Sequence, residues 1–234
     1  MAVREVMGSE FGRRAVAIDG PGGAGKSTAA KKLASELGFV YADTGAMYRA
    51  VGLSCVRNGV DLSDEQAVAS HIVTVEIALE FVDGEQRVRL GGIDVTADLR
   101  TQEAGDAASK VAVYPAVREK LVDMQRKIAE YNDVVMDGRD IGTHVLPHAT
   151  LKVYLVADPA ERARRRQSEL AARGVARDFE TVLREVADRD ERDSQRDHAP
   201  MRPAEDAVVL DASRMDAGEV CETIRKWFEE RTGA

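Results

Sequence analysis

The chain has few cysteines, few aromatic residues and no long apolar run among its 234 residues. Its two cysteines, Cys55 and Cys221, lie far apart without the spacing of a metal site or a redox pair, so we expect reduced thiols in a cytoplasmic protein. No stretch approaches the roughly 18 consecutive apolar residues that span a bilayer, and the first residues lack the apolar segment of a signal peptide. Acidic residues outnumber basic residues. The resulting net charge of -8 argues against wholesale binding to nucleic acid or to an anionic membrane. Any anionic ligand must therefore be held by a local site.

Short apolar runs alternate with longer amphipathic stretches along the chain. The apolar runs predict strands at 15–18, 39–41, 134–136, 151–156 and 207–210. The amphipathic stretches predict helices from 30 to 37 with Gly38 as the cap, from 101 to 130 with an interruption near Pro115, and from 217 to 231. Strand followed by helix, repeated, predicts an α/β fold with a parallel sheet covered by helices on both faces.

One region breaks this alternation. Ser63 and Gln66 have the spacing of a helix-capping box, after which apolar residues alternate with polar ones from 73 to 81. Two glycine-containing pairs supply turns, Asp83-Gly84 and Gly91-Gly92. We therefore predict a small antiparallel meander inserted into the parallel fold, and an insert of this kind usually carries a substrate surface.

The stretch IDGPGGAGKST contains the pattern G-x-x-x-x-G-K-[ST] between a predicted strand and a predicted helix. Its glycines let successive N–H groups point inward as an anion-binding nest, and the helix start adds its positive dipole end. Lys26 would reach the outer phosphates of a nucleotide, and Ser27 offers a hydroxyl to Mg²⁺. A mere glycine-rich turn is the alternative, which the flanking strand and helix disfavour. The predicted phosphate-binding residues are Gly20, Pro21, Gly22, Gly23, Ala24, Gly25, Lys26, Ser27 and Thr28.

Two further polar segments follow predicted strands. YADTGAMYR, residues 41 to 49, would place its polar side chains at the carboxyl end of a strand, where ligands bind in open α/β sheets. The alternative is that Asp43 or Thr44 only caps a helix. MDGRD, residues 136 to 140, places Asp137 where a carboxylate would support the metal. A plain Asp-Gly turn is the alternative there.

Two charged segments lie nearer the C-terminus. Arg189, Asp193 and Arg196 are spaced by four and three residues, which puts them on one face of a helix, although a solvated face of ion pairs is an alternative. The segment ERARRRQ, residues 161 to 167, aligns three arginines ahead of a possible lid loop. We favour a guanidinium clamp over the nucleotide rather than a solvated helix or a nucleic-acid contact. His144 and His148 are expected to be ordinary loop residues.

Taken together, GPGGAGKST, DTGAMYR, RTQEAGDAASKVA, DGRDIGT and RDERDSQR resemble the bacterial cytidylate kinases, in order from about residue 14 to the C-terminus. The resemblance implies a P-loop nucleoside monophosphate kinase that transfers the γ-phosphoryl group of ATP to CMP or dCMP with Mg²⁺. It implies a five-stranded parallel sheet with helices on both faces, a small antiparallel insert and a helical lid. We expect one kinase domain at 14–234 with core segments 14–59, 108–165 and 183–234, an insert at 60–107 and a lid at 166–182, after a flexible tail at 1–13.

The resemblance also implies roles for individual residues. The cytosine would be read by Thr44, Ser109, Arg118 and Asp140, and the ribose by Arg189 and Asp193. The acceptor phosphate would be held by Tyr48, Arg49, Arg139 and Arg196. The expected catalytic residues are Lys26, Arg139, Arg165 and Arg196, and the expected metal ligands are Ser27 and Asp137.

These residue types suit phosphoryl transfer, which requires mainly that two anions be positioned and their charge neutralised. An acceptor phosphate with a second pKa near about 6 is already largely ionised at neutral pH, so no dedicated base is required. Asp140 is then able to accept a hydrogen bond from the cytosine amino group, while Arg118 donates to the ring acceptors.

Three other functions are weighed against this one. A P-loop kinase for another monophosphate, or for a hydroxyl such as that of shikimate, is the nearest. A nucleotide-dependent switch is disfavoured because no Asn-Lys-x-Asp guanine-reading segment occurs. A nucleic-acid module conflicts with the net charge. We expect small-molecule substrates, no nucleic-acid or membrane partner, and a monomer.

Overall fold

A computed structural model describes residues 13–82 and 85–233 of the chain. The strands of the described part are β1 (Ala15–Asp19), β2 (Val40–Asp43), β3 (Ile77–Val82), β4 (Glu85–Leu90), β5 (Ile93–Asp94), β6 (Val134–Asp137), β7 (Leu151–Val156) and β8 (Val208–Asp211). Its α-helices are α1 (Lys26–Leu37), α2 (Thr44–Arg57), α3 (Glu65–Thr74), α4 (Gln102–Val111), α5 (Pro115–Tyr131), α6 (Pro159–Ala172), α7 (Phe179–Ser194) and α8 (Ala217–Thr232). A 3₁₀ turn lies at Asp98–Arg100 and a π-helix at Ile141–Val145.

Five strands form a parallel sheet in the order β2-β6-β1-β7-β8, with flanking helices. A second, antiparallel sheet has the order β3-β4-β5. The α/β fold with a parallel sheet and a small antiparallel insert is therefore confirmed. The sequence located the strands of the large sheet well because they are short apolar runs, which is typical of parallel strands buried on both faces.

The described residues divide into two compact units. The first comprises residues 13–15, 34–82 and 85–136, and the second comprises residues 16–33 and 137–233. In the first unit, helices α2 to α5 enclose an apolar core, and α2 also packs on the antiparallel sheet. In the second unit, buried residues of β1 and β7 form the centre of the sheet, and α6 packs against α7. Each unit therefore places its polar residues on helices and strand ends that a core holds in place.

The start of α3 and the start of β3 differ from those that the sequence predicted. The capping box at Ser63 is wrong, because α3 begins at Glu65 and the Asp64 carboxylate caps it by accepting from the N–H of Ala67 at 3.0 Å. The Ser63 hydroxyl instead donates to Asp61. The predicted alternation from 73 to 81 is also wrong at its start, because α3 continues to Thr74 and β3 begins at Ile77. Alternation over a short apolar run does not distinguish the last turn of a helix from a strand.

Other local predictions have different outcomes. The turn at Gly91-Gly92 is confirmed, since both residues have positive φ, at 54° and 82°. Pro115 occupies the first turn of α5, where its missing N–H is tolerated, which confirms the interruption. The turn predicted at Asp83-Gly84 lies outside the described residues, as does the predicted tail apart from Arg13. No helix within residues 13–82 and 85–233 combines the length and the apolar character that crossing a membrane requires.

Candidate active site

The loop between β1 and α1 is the predicted phosphate-binding segment. Gly20 has a φ of 138°, and a Cβ at this position would lie 2.0 Å from the carbonyl oxygen of Leu155 in β7. Only glycine fits so close to the neighbouring strand in that conformation. Helix α1 starts at Lys26, directly after the loop, so its unsatisfied N–H groups and positive dipole end lie where an anion would bind.

Lys26 is buried in this loop, and its Nζ donates to the carbonyl oxygen of Pro21 at 2.7 Å. Burial and the nearby positive charge of Arg139 lower the pKa of Lys26 to about 7, while Asp137 and Asp19 act in the opposite direction. A buried ammonium group with too little negative charge around it is stabilised when an anion enters. The position of Lys26 therefore fits a ligand that carries several phosphates.

Asp19 is a buried acid at the end of β1 that the sequence analysis did not single out. Its two carboxylate oxygens accept from the N–H groups of Ile141 at 2.8 Å and of Gly142 at 2.7 Å. Burial raises the pKa of Asp19 to about 7, although these two N–H groups act in the lowering direction. The carboxylate thereby fixes the start of the π-helix that follows Asp140. An acidic residue that ends an otherwise apolar strand was the available signal.

Ser27 and Asp137 are the predicted metal ligands. The Ser27 hydroxyl lies 2.8 Å from an Asp137 carboxylate oxygen, at the ends of α1 and β6 that face each other. Mg²⁺ binds oxygen ligands and is usually held by one or two protein groups together with substrate phosphates. This pair therefore fits a magnesium ion that enters with a nucleotide. In the described part of the chain, no group of three or more His, Cys, Asp or Glu side chains has a metal-binding arrangement.

Asp193 lies between two arginines of the predicted acceptor site. One carboxylate oxygen is 2.9 Å from the Nε of Arg139, and the other pairs with the guanidinium of Arg196. Burial would raise the pKa of Asp193, but the charges of Arg139, Arg196 and Arg189 outweigh it and hold that pKa below its usual value. The Asp193 side chain is only 2% exposed, so both guanidinium groups are held in fixed positions.

The prediction that Arg196 shares a helical face with Arg189 and Asp193 is wrong. Helix α7 ends at Ser194, and the N–H of Met201 donates to the carbonyl oxygen of Asp193, so the chain folds back on the helix end. Met201 is buried, which draws the chain away from the helical path. Arg196 nevertheless meets Asp193, because an ion pair three residues apart forms outside a regular helix as well.

The arginines of α6 differ from one another in their burial and in their contacts. Arg162 is buried, and its guanidinium donates to the carbonyl oxygens of Ala157 at 2.9 Å and of Gly22 at 3.1 Å. It also forms an ion pair of 2.6 Å with Asp190 of α7. Neither a solvated helix nor a clamp over the nucleotide describes this residue, which supports the backbone of the phosphate loop. No local sequence pattern indicates this role of Arg162, because Gly22 and Asp190 lie far from it along the chain.

Arg165, which the sequence predicted as catalytic, lies one turn further along α6. Its guanidinium donates to the carbonyl oxygens of Ala24 at 3.3 Å and of Ala212 at 2.8 Å. Arg166 pairs with Glu169 at 3.2 Å on the helix surface. Arg165 thus contacts the phosphate loop from its edge, and its part in the reaction stays a prediction.

The first unit contains five of the predicted substrate-binding residues: Thr44, Tyr48 and Arg49 on α2, Ser109 on α4 and Arg118 on α5. Arg118 is buried, and its guanidinium carbon lies 5.9 Å from the centre of the Tyr48 ring. The buried Ser109 hydroxyl has no hydrogen-bond partner among the described residues. An unsatisfied buried hydroxyl costs about 1–3 kcal/mol, so a ligand that pairs with it gains affinity. This position therefore fits a residue that reads a polar base.

Asp43 caps α2, as the alternative interpretation of this segment proposed. Its Oδ1 accepts from the N–H of Ala46 at 2.9 Å, and its Oδ2 pairs with the Nη2 of Arg49 at 2.7 Å. The side-chain amide of Gln86 in β4 accepts from the Asp43 N–H at 2.9 Å and donates to the Asp43 carbonyl at 3.1 Å. The antiparallel insert is thus attached to the segment that carries Thr44 and Arg49. Sequence analysis had no local signal for Gln86.

The second unit contains the other predicted substrate-binding residues: Arg139, Asp140, Arg189, Asp193 and Arg196. Together with the phosphate loop, they form a cluster of positive and negative groups that includes Lys26, Asp19 and Asp137, in which the acids and Lys26 are buried and the arginines are partly buried. Such a cluster provides several fixed cationic groups for phosphate oxygens. The structure therefore brings together Ser27 with Asp137, and Arg139 with Asp193 and Arg196.

The chain resembles known proteins both in sequence and in structure. Residues 16–230 match a family model described as cytidylate kinase. The chain is 49% identical over 210 residues to a cytidylate kinase of Pelotomaculum thermopropionicum, with 89% of this chain and 93% of that protein covered. It is 46% identical over 213 residues to a cytidylate kinase of Caldicellulosiruptor bescii, with 91% and 94% covered. A crystal structure of an uncharacterized protein from Eubacterium ventriosum shares the fold, with a TM-score of 0.51, 14% identity, and 93% of this chain and 99% of that chain covered.

Proposed function

This chain belongs to the cytidylate kinase family, and from that premise we propose how its residues transfer the γ-phosphoryl group of ATP to CMP or dCMP. The observation that carries the proposal is the buried Arg139, Asp193 and Arg196 cluster in the same compact unit as the phosphate loop. A loop alone suits any nucleotide hydrolase, whereas fixed guanidinium groups supply a second place for phosphate oxygens. Two phosphate-binding groups are what transfer between two nucleotides requires.

On the donor side, the N–H groups of the loop and the ammonium of Lys26 hold the β- and γ-phosphates of ATP. Arg162 keeps the loop backbone in place through its bond to the Gly22 carbonyl, so the N–H groups do not have to reorganise during the reaction. When it is bound, Mg²⁺ would be held by Ser27 and Asp137 and would neutralise charge on the phosphoryl oxygens. The transfer is thereby favoured by positioning and by charge neutralisation.

On the acceptor side, we assign Arg139 and Arg196 of the second unit, with Tyr48 and Arg49 of the first, to the phosphate of CMP. Asp193 holds two of these guanidinium groups before any ligand binds, which reduces the ordering that binding requires. An acceptor phosphate is largely ionised at neutral pH, so its oxygen attacks the γ-phosphorus of ATP without a general base, while the bond from that phosphorus to the β,γ-bridging oxygen breaks and ADP leaves. Arg165, which contacts the loop at Ala24, is assigned to the charge of the transferring group.

The base and the ribose are assigned to buried polar residues. Thr44, Ser109, Arg118 and Asp140 would read cytosine, and the unsatisfied Ser109 hydroxyl is the observation that supports this set. The cytosine amino group donates to Asp140, whereas uracil presents a carbonyl oxygen there and would face the carboxylate with lone pairs opposed. Arg189 and Asp193 would contact the ribose.

Coupled ADP release from ATP, with CMP, dCMP, UMP and AMP tested side by side and with Mg²⁺ present or chelated, tests the proposal. We expect turnover with CMP or dCMP, much less with UMP and AMP, and none after chelation. Asp140→Ala should reduce the preference for CMP over UMP by about tenfold or more, the range of a lost hydrogen bond to a charged group. An unchanged ratio of kcat/KM for the two acceptors would remove Asp140 from the base-reading set.

We also propose that the enzyme works in the cytoplasm. Cys55 and Cys221 are both buried and neither forms a disulfide, which suits a reducing compartment. Fractionation of cells with an antibody against the chain tests this location, and recovery with the membranes or the secreted proteins would contradict it.

A further inference from the structure

Gly45 lies in the first turn of α2, where the backbone does not require a glycine. The φ angle of Gly45 is not positive, so an alanine could adopt the same backbone conformation. Glycine is also a poor helix former compared with alanine. A different property of this position must therefore favour a residue without a side chain.

The space beside Gly45 is occupied by the guanidinium of Arg49, which is four residues further along α2. Long side chains in a helix point back towards its N-terminus and lie over the residue four positions earlier. An ideal Cβ on residue 45 would lie 2.9 Å from the Nη1 of Arg49, 3.1 Å from the Oδ1 of Asp43 and 3.7 Å from the Arg49 guanidinium carbon. The missing Cβ thus leaves the gap in which the guanidinium and the carboxylate meet.

Asp43 is itself held in place on two sides. Its Oδ1 accepts from the N–H of Ala46 at 2.9 Å, and its backbone N–H and carbonyl are both bonded to the side chain of Gln86. Its Oδ2 pairs with Arg49 at 2.7 Å. Because Asp43 is fixed, a Cβ at position 45 would displace the guanidinium, which is the flexible end of its side chain, and leave the fold intact.

We propose that Gly45 is a positioning residue that sets the place of the Arg49 guanidinium and so the strength of acceptor binding. The inference rests on the proposed role of Arg49 in holding the phosphate of CMP. It makes two opposite predictions for a single substitution. Gly45→Ala raises helix propensity and does not destabilise the fold, yet it weakens the binding of CMP.

The experiment compares Gly45→Ala with Gly105→Ala, Arg49→Ala and the double variant of positions 45 and 49. Gly105 is the matched control because it lies within α4 of the same unit, and among the described residues a Cβ there would meet no atom within 4 Å apart from its chain neighbours and its own helix backbone. The readouts are KM for CMP, KM for ATP, kcat and Tm. Gly45→Ala should raise KM for CMP about tenfold, the range of a lost charge-assisted contact, with KM for ATP at the wild-type value and Tm at or above it. Gly105→Ala should raise Tm and leave the kinetics unchanged.

The double variant separates a positioning role from a structural one. If Gly45 acts through Arg49, KM for CMP in the double variant equals that of Arg49→Ala. A further rise in the double variant, or a marked fall of Tm in Gly45→Ala, would overturn the inference. If Arg49→Ala raises KM and Gly45→Ala does not, the inference is wrong while the role of Arg49 stands. If Arg49→Ala leaves KM unchanged, the proposed role of Arg49 fails and the inference fails with it.

Discussion

Replacement of Asp193 by Asn probes the buried cluster that the proposed acceptor site depends on. The carboxylate lies between the guanidinium groups of Arg139 and Arg196, and its side chain is 2% exposed. Asparagine has the same shape, but it is neutral and presents an NH₂ group to one of the two arginines. The substitution therefore leaves two buried positive charges without the negative charge that separates them.

The expected loss of stability is large because the side chains of Asp193, Arg139 and Arg196 are all shielded from water. The side chain of Arg139 is 18% exposed and that of Arg196 is 6% exposed, so water screens the remaining repulsion only in part. Removal of one partner from a buried ion pair destabilises a protein by about 3–5 kcal/mol. In a chain of this length, such a loss lowers Tm by about 6–20 °C. Turnover should fall as well, because the two arginines lose their fixed positions.

The stability lost in Asp193→Asn should become smaller as the pH falls. The neighbouring arginines hold the pKa of Asp193 below its usual value in the folded protein, despite its burial. Its contribution to stability is therefore present above the unfolded pKa of about 3.9 and is lost as the pH falls through the lower folded pKa. The difference between wild type and Asp193→Asn should be full at pH 7 and should shrink in acid.

Thermal and urea unfolding at a series of pH values measures both the loss of stability in Asp193→Asn and its dependence on pH. Asp188→Asn is the matched control, because it removes the same charge from an exposed position on α7 and should change stability by no more than about 0.5 kcal/mol. A loss below about 1 kcal/mol for Asp193→Asn at neutral pH, with an acid transition like that of wild type, would refute the reasoning.

Two further predictions concern the phosphate loop. Gly20→Ala places a Cβ 2.0 Å from the backbone oxygen of Leu155, which is unable to move aside, so kcat/KM for ATP should fall at least about a hundredfold. Gly38→Ala is its control, because Gly38 has a φ of 68° and a Cβ there would meet no described atom within 4 Å beyond its chain neighbours. This variant should lose about 1 kcal/mol of stability at full activity, and equal kinetics for the two variants would contradict the prediction. The pKa of Lys26, lowered to about 7 by burial, makes the side chain largely neutral at pH 8, and bound phosphates favour its charged form. ATP binding at pH 8 should therefore take up as much as about one proton, measured by calorimetry in buffers of different ionisation enthalpy, and Lys26→Met should abolish this uptake. Release of a proton when ATP binds to the wild-type protein would contradict this prediction.

Much of the fold could be predicted because its signals are local. The apolar runs that became β1 and β7 are buried on both faces, and the phosphate loop lies directly between a strand and a helix. The antiparallel insert was also predicted, although its start was misplaced by the helical residues Val73 and Thr74. Local patterns fail at such ends because the last turn of a helix and the first residues of a strand share apolar spacing.

Candidate site residues could be proposed from the sequence only where a residue's own segment shows its chemistry. Ser27, Asp137 and Asp193 stand in such segments. The structure adds the 2.8 Å distance between Ser27 and Asp137 and the 2.9 Å ion pair between Asp193 and Arg139. Asp43 was recognised as a possible cap, but its ion pair with Arg49 and its attachment to Gln86 depend on how α2 meets β4.

The amino-acid sequence by itself determined the alternation of strands and helices and the glycine-rich phosphate loop, because backbone preference and apolar burial act over a few neighbouring residues. The tertiary structure alone decided which charged groups are buried and what they face. Arg162 and Arg166 are both arginines on one short helix, yet Arg162 is buried, donates to Gly22 and pairs with Asp190, whereas Arg166 is half-buried and pairs with Glu169. Electrostatic energy depends on distance and burial in three dimensions, and a linear pattern of charges specifies neither.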